Sequence, residues 1–112
     1  MAPLLRNAAG EVSEVAEEIS GLPLGVYEDI EYETHTRELR PGDFLTLFTD
    51  GFSEAMNSRR ELYGMERLIA AAGADVTDIA QLGEHIRTDV RSFVSGHAQS
   101  DDMCLACFGR VE

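Results

Sequence analysis

Basic residues are scarce in this chain of 112 residues, with 9 of them against 21 acidic residues and a formal net charge of -12. A nucleic-acid phosphate backbone or an anionic membrane surface requires a basic footprint, so the composition disfavours both as partners. The excess of carboxylates suits divalent cations or a basic partner. A solvated acidic surface explains the same composition.

Long apolar runs are also absent, and no stretch approaches the roughly 20 residues of a membrane helix. The N-terminal segment "MAPLLRNAAGE" has one arginine and no long apolar region, so it does not resemble a secretory signal. With 44% hydrophobic and 27% charged residues, the composition predicts one globular domain over residues 1–112. We expect a cytoplasmic protein.

Only two cysteines are present, Cys104 and Cys107, in a C-x-x-C spacing that can mark a redox pair or half of a zinc site. No second pair completes a zinc site. The surrounding "MCLACFGRV" is typical of a strand, on which residues three apart point to opposite faces. We therefore predict that both cysteines are small core residues.

The hydrophobic pattern predicts the element order β-β-β-α-α-β. The predicted strands are 11–20, 27–39, 44–49 and 103–111, and the predicted helices are 63–73 and 76–94. Successive strands favour an antiparallel sheet with two helices on one face, which is an α+β fold. Strands 44–49 and 103–111 are apolar on both faces, so we expect cover on the second face as well, for example by a second sheet.

Acidic residues stand at the ends of these two apolar strands. Asp50-Gly51 follows strand 44–49, and Asp101-Asp102 precedes the last strand. If the strands are antiparallel neighbours, these carboxylates converge and repel one another unless a cation lies between them. Mg²⁺ and Mn²⁺ suit oxygen ligands of this kind, and Gly51 permits a sharp exit from the strand. DG and DD are also common turn dipeptides, so two ordinary turns remain an alternative.

The stretch "LRPGDFLTLFTDGFSEAMNSRRELYGMERL", followed much later by "DDMCLACFGRV", resembles the C-terminal half of a SpoIIE-type phosphatase domain. These domains form the bacterial branch of the metal-dependent PPM serine/threonine phosphatases and include RsbU-like regulators of stress sigma factors. The shared positions include Pro23, Leu24, Gly25, Leu39, Pro41, Gly42, Asp43, Thr49, Asp50, Gly51, Glu54, Ala55, Asn57, Glu61, Tyr63, Gly64, Arg67, Leu68, Asp101 and Asp102.

The resemblance implies an α/β/β/α sandwich with a manganese or magnesium centre at one end of its two sheets. It implies Asp50 and Asp101 as metal ligands. It implies roles in supporting the ligands or shaping the turn for Gly51, Glu54, Asn57 and Asp102. The implied reaction is two-metal hydrolysis of phosphoserine or phosphothreonine. The family's usual substrate is a phosphorylated anti-anti-sigma factor of the STAS type.

The sequence departs from the family pattern in ways that bear on activity. The first half of the family's domain carries a "GD-V-S-G-x-G" motif, whose Asp bridges the two metals, and an "AGH-x-P" motif; neither occurs here. We therefore expect a C-terminal portion of such a domain that is inactive by itself. Cys104 replaces the threonine of "DD-x-T", and Arg60 stands where glycine is frequent, which suggests an altered turn.

Two alternatives remain open on the sequence alone. The first is a non-catalytic regulatory or assembly module that uses the same partial fold. The second is an unrelated acidic α+β domain. His97, shortly before Asp101, is interpreted as a loop residue because a hard-cation centre does not favour imidazole. Since the apolar back of the sheet needs cover, we also expect a homodimer.

Overall fold

A computed structural model describes residues 1–19, 21–99 and 102–112, in which a layer of helices covers one antiparallel sheet. The strands are β1 (Leu4–Arg6), β2 (Val12–Glu14), β3 (Phe44–Phe48) and β4 (Leu105–Gly109). The helices are α1 (Asp50–Ser53), α2 (Gly64–Ala72) and α3 (Ile79–Val94), with a 3-10 turn at Glu17–Ile19. The strand order β2-β1-β3-β4 is antiparallel throughout, which confirms the predicted α+β fold.

Helix α3 begins where Asp78 caps it. The Asp78 side chain accepts a hydrogen bond from the Gln81 N–H at 2.8 Å, so the helix starts at Ile79 rather than at the predicted residue 76. Its buried residues recur at helical spacing and face the sheet; they are Leu82, Ile86 and Val90. The helix ends at Val94, and the residue that caps it, Ser95, adopts a left-handed conformation with φ of 49°.

Tyr63 anchors α2 against α3 from a fully buried position. Its hydroxyl donates to the Asp89 carboxylate and lies 3.3 Å from the Arg67 carbonyl oxygen. Its ring meets Phe93 edge-on, with 5.5 Å between ring centroids. Burial, followed by the hydrogen bond to Asp89, raises the pKa of Tyr63, so the phenol stays protonated in the folded chain.

The two faces of the sheet differ sharply in cover. On β3, Phe44 and Thr46 are buried, whereas Leu47 on the opposite face is 38% exposed. On β4, Phe108 lies on the same face as its β3 partner Leu45 and is 52% exposed. The prediction that these strands are buried from both sides is therefore wrong for the described residues. Helices cover one face and leave much of the other open.

The predicted strand 27–39 is also wrong, because residues 21–43 contain neither helix nor strand. Charged residues lie along most of 27–39 and almost all of it is exposed. Both edges of β3 are already occupied, by β1 and β4, so this segment has no free edge of β3 to pair with. The segment 11–20 contributes only the short strand β2 and the 3-10 turn.

Two elements were missed from the sequence. Strand β1 is too short for a periodic signal, and its Arg6 is buried because its guanidinium donates to the Ala74 carbonyl at 3.0 Å and lies over the Phe44 ring. Helix α1 is a single turn that begins at Asp50, where the sequence predicts a simple turn.

The prediction that both cysteines are core residues is wrong for Cys104, which is exposed just before β4. Cys107 is half-buried, with its sulfur 3.8 Å from the Thr46 hydroxyl, and burial raises the pKa of its thiol. Both thiols are free. None of the helices in the described ranges has the length and apolar character needed to span a membrane.

Candidate functional site

The pairing of β3 with β4 brings two distant acidic segments together. Phe48 pairs with Leu105, so the residues that follow β3 meet the residues that precede β4. Thr49 fixes this junction: its N–H donates to the Cys104 carbonyl at 3.1 Å, and its hydroxyl oxygen accepts from the Cys104 N–H at 3.0 Å. The same hydroxyl donates to the Asp102 carbonyl at 3.2 Å. The predicted antiparallel pairing is confirmed.

Gly51 lies directly against the backbone of Asp102. A Cβ atom at Gly51 would stand 2.1 Å from the Asp102 carbonyl oxygen and 2.8 Å from its carbonyl carbon, distances that real Cβ atoms do not reach. Only glycine permits this contact. We call Asp50, Gly51 and Asp102 the acidic corner.

A rigid local structure holds Asp50 at the surface of this corner. The Asp50 carbonyl accepts hydrogen bonds from the Glu54 N–H at 2.8 Å and from the Ser53 hydroxyl at 3.3 Å. Phe52, two residues on, is buried in the core and fixes the turn. The Asp50 side chain is exposed and therefore accessible to a ligand from solvent.

The other predicted ligand, Asp101, lies outside the described residues. Its neighbour Asp102 is exposed and belongs to the acidic corner. Among the described residues, no group of three or more His, Cys, Asp or Glu is placed to hold a metal ion. The ligand roles of Asp50 and Asp101 remain predictions.

Asn57 shapes a tight turn after α1. Its side-chain oxygen accepts from the backbone N–H groups of Arg59 at 3.0 Å and Glu61 at 2.9 Å. Arg60 in this turn adopts φ of 62°, a left-handed conformation that favours the glycine frequent at this position of the pattern. Glu54 is exposed and ends α1, and its supporting role at the corner remains a prediction.

Sequence reasoning missed a cavity of about 390 Å³ beside the corner. Gly51 and Phe52 of α1 form one wall, and the C-terminal half of α3 forms another. Arg87 and Arg91 line the α3 side. Their spacing of four residues on a helix, in an acidic chain, is the signal that could have located this surface. We call it the α3 cavity.

The sequence of the chain is similar to that of known proteins over most of its length. Residues 1–111 match the family described as Stage II sporulation protein E (SpoIIE). Protein IcfG of Synechocystis sp. (strain ATCC 27184 / PCC 6803 / Kazusa) is 22% identical over 86 residues, which are 77% of this chain and 14% of IcfG. The chain thus spans a small part of the curated relative that it matches.

Solved structures share the fold. The SiaA-PP2C domain of Pseudomonas aeruginosa superposes with a TM-score of 0.73 and 22% identity, over 96% of this chain and 43% of that one. The Mn-presoaked phosphatase domain of the cell fate determinant SpoIIE from Bacillus subtilis superposes with a TM-score of 0.70 and 20% identity. The match covers 100% of this chain and 47% of that one. The chain spans less than half of each. The match over residues 1–111 shows that this chain belongs to the SpoIIE family.

Proposed function

We propose that the acidic corner is part of the metal centre of a metal-dependent protein serine/threonine phosphatase. The observation that carries the proposal is the close contact of Gly51 with the Asp102 carbonyl, which places the segment before β4 against the residue that follows Asp50. Membership of the SpoIIE family supports it, as does the fold shared with PP2C-type phosphatase domains.

The residues at the corner fit Mn²⁺ or Mg²⁺, because carboxylate oxygens are the ligands these hard cations prefer. In our proposal Asp50 and Asp101 hold the ion, while Thr49 and Gly51 fix the backbone that carries them. Asp102 adds a further negative charge beside the site. When bound, the ions of such a centre activate water and neutralise phosphoryl oxygens.

The proposed substrate is a phosphoserine or phosphothreonine on a regulatory protein. A phosphorylated STAS-type anti-anti-sigma factor is the specific candidate, and it rests on the resemblance to RsbU-like sigma-factor regulators. That resemblance also implies the cytoplasm. We propose that these 112 residues alone are inactive, because the sequence contains no "GD-V-S-G-x-G" motif to supply the bridging Asp.

A calorimetric titration with Mn²⁺ tests the metal site. We expect the chain to bind Mn²⁺ and the binding to disappear in Asp50→Asn and in Asp101→Asn. Asp75→Asn is the matched control, because it makes the same change at an exposed residue in the loop between α2 and α3. Binding that persists in Asp50→Asn, or that is lost equally in Asp75→Asn, contradicts the assignment.

Hydrolysis of a phosphoserine peptide in the presence of Mn²⁺ tests the proposed inactivity. The expected result is no turnover above the buffer rate. Turnover by the pure chain that is abolished in Asp50→Asn would show that the corner works without a bridging carboxylate, and the inactivity proposal would then be wrong.

A second candidate is a non-catalytic assembly module, and the open face of the sheet is the observation that favours it. Leu47 and Phe108 lie exposed on that face, where a second sheet could pack. Under this proposal the chain forms a homodimer through the open face. Light scattering at high protein concentration tests this proposal. If the chain is a monomer and still binds Mn²⁺, the phosphatase is the better account.

A further inference from the structure

The α3 cavity shares a wall with the acidic corner. Gly51 lines the cavity and also touches the Asp102 carbonyl, so the cavity begins where the corner ends. Met103, directly after Asp102, lines it too. Whatever binds in the cavity therefore lies next to a group held at the corner.

The charge of the cavity is opposite to that of the chain. Arg87, Arg91 and His97 line it, and none of its described lining residues is Asp or Glu, although the chain carries a net charge of -12. Arg87 is engaged by Glu84 at 3.3 Å. The Arg91 guanidinium has no hydrogen-bond or ion-pair partner within the described ranges, so its donors are available to a ligand.

The floor of the cavity is apolar. Phe52 and Val90 are buried beneath it, and Val94 and Met103 are half-buried at its sides. A binding surface with an apolar floor and an arginine rim fits a peptide segment that presents an apolar side chain next to an acidic one.

We propose that the α3 cavity binds the residues that flank the phosphorylated serine or threonine of the protein substrate, one apolar and one acidic. This inference rests on the proposed phosphatase function, because the corner is where the phosphoryl group would lie. Arg91 pairs with the acidic residue, and the apolar side chain packs on Phe52 and Val90. The arrangement selects acidic substrates, which the chain's overall negative charge would otherwise repel.

Fluorescence anisotropy with labelled peptides, in EDTA, tests the cavity without the metal. The main probe is a peptide with one phosphoserine, and both a leucine and a glutamate stand on each side of that phosphoserine. Companion probes replace glutamate by lysine, replace leucine by alanine, or omit the phosphate. The proteins are the wild-type chain, Arg91→Gln and Arg37→Gln. Arg37 lies at a different cavity, with Leu5 and Leu45, and supplies the matched change of charge.

We expect Arg91→Gln to weaken the affinity for the main probe roughly tenfold, because the substitution removes one charge-assisted hydrogen bond. Arg37→Gln should bind it as the wild type does. The lysine and alanine probes should bind more weakly, and the probe without phosphate should bind nearly as well as the main one. Circular dichroism of each variant confirms folding.

Three outcomes overturn the proposal: no binding of the main probe, equal binding by Arg91→Gln and wild type, or binding that depends on the phosphate and not on its flanks. The last would make the cavity a phosphate site. None of these outcomes bears on the metal centre, which the Mn²⁺ titration of Asp50→Asn judges by itself. Failure of the cavity and failure of the phosphatase proposal are thus separable.

Discussion

The two faces of β3 carry side chains of similar apolar character and meet opposite environments. On the helix-covered face Thr46, a polar residue, is 1% exposed, while on the other face Leu47 is 38% exposed. Thr46 is buried because it lies on the helix-covered face, between β1 and β4, and its hydroxyl contacts the Cys107 sulfur. Burial here is decided by which elements lie above a face and not by the hydrophobicity of the residue beneath them.

The largest expected effect is the difference in stability between substitutions on the covered face and on the open face of the sheet. Leu4→Ala, on the covered face of β1, should lower the free energy of unfolding by about 2–5 kcal/mol, since Leu4 is 1% exposed and a cavity remains. Leu47→Ala should cost about 1 kcal/mol or less, because much of its surface already contacts water. Urea denaturation of both variants measures the difference.

A Leu47→Ala variant as unstable as Leu4→Ala would break the comparison. It would show that the open face is covered in solution, as a second copy of the chain would cover it. The apparent stability would then depend on protein concentration.

Two glycines, Gly51 and Gly83, are expected to respond in opposite ways to substitution by alanine. Gly51→Ala should destabilise the chain by about 1–3 kcal/mol, because a backbone carbonyl stands in the place of the new methyl group. Gly83→Ala should stabilise it by about 0.5–1 kcal/mol, because Gly83 lies inside α3 and alanine favours the helix. The methyl group of that alanine would have the Cys107 sulfur as its nearest neighbour, at 3.9 Å, which is an ordinary van der Waals contact.

Thermal unfolding followed by circular dichroism checks both glycine variants. A neutral Gly51→Ala would mean that the segment before β4 shifts easily, and the acidic corner would then be a loose contact. A destabilised Gly83→Ala would show that α3 sits closer to β4 than this distance allows.

The last prediction concerns Tyr63 in the helix layer. Its pKa is raised above the ordinary value of 10.0, so at high pH the folded chain keeps a proton that the unfolded chain loses. The contribution of Tyr63 to stability should therefore be unaffected below pH 10 and should fall above it, by about 1.4 kcal/mol per pH unit. Urea midpoints between pH 9 and pH 11, a range of roughly 2 units around the ordinary tyrosine pKa, measure the fall.

Tyr63→Phe should remove that part of the pH dependence, and Tyr27→Phe should leave it intact because Tyr27 is exposed. A pH profile unchanged in Tyr63→Phe would assign the fall to another group.

The sequence predicted the features that have a local, periodic signal. Helix α3 shows apolar residues at helical spacing, and β3 and β4 show apolar runs bounded by turns. The antiparallel neighbourhood of Asp50-Gly51 and Asp102 followed from these strands. The ligand roles at this corner are untested by the structure.

The remaining features depend on contacts between distant residues. Arg6 is typical of a surface charge until the Ala74 carbonyl and the Phe44 ring surround it. The 27–39 segment has a weak alternation, but β1 and β4 occupy both edges of β3, the strand that follows it in the chain. The α3 cavity requires α1 and α3 to be placed in space, which periodicity along one helix cannot supply.

Thr49 and Cys104 are joined by two hydrogen bonds although 55 positions separate them along the chain. Every residue of α1, α2 and α3 lies within the loop that this junction closes. Closing a long loop is slow, since its entropy must be lost before the contacts form. The acidic corner should therefore be among the last parts of the domain to assemble during refolding, and amide exchange at Cys104 would record the moment at which it does.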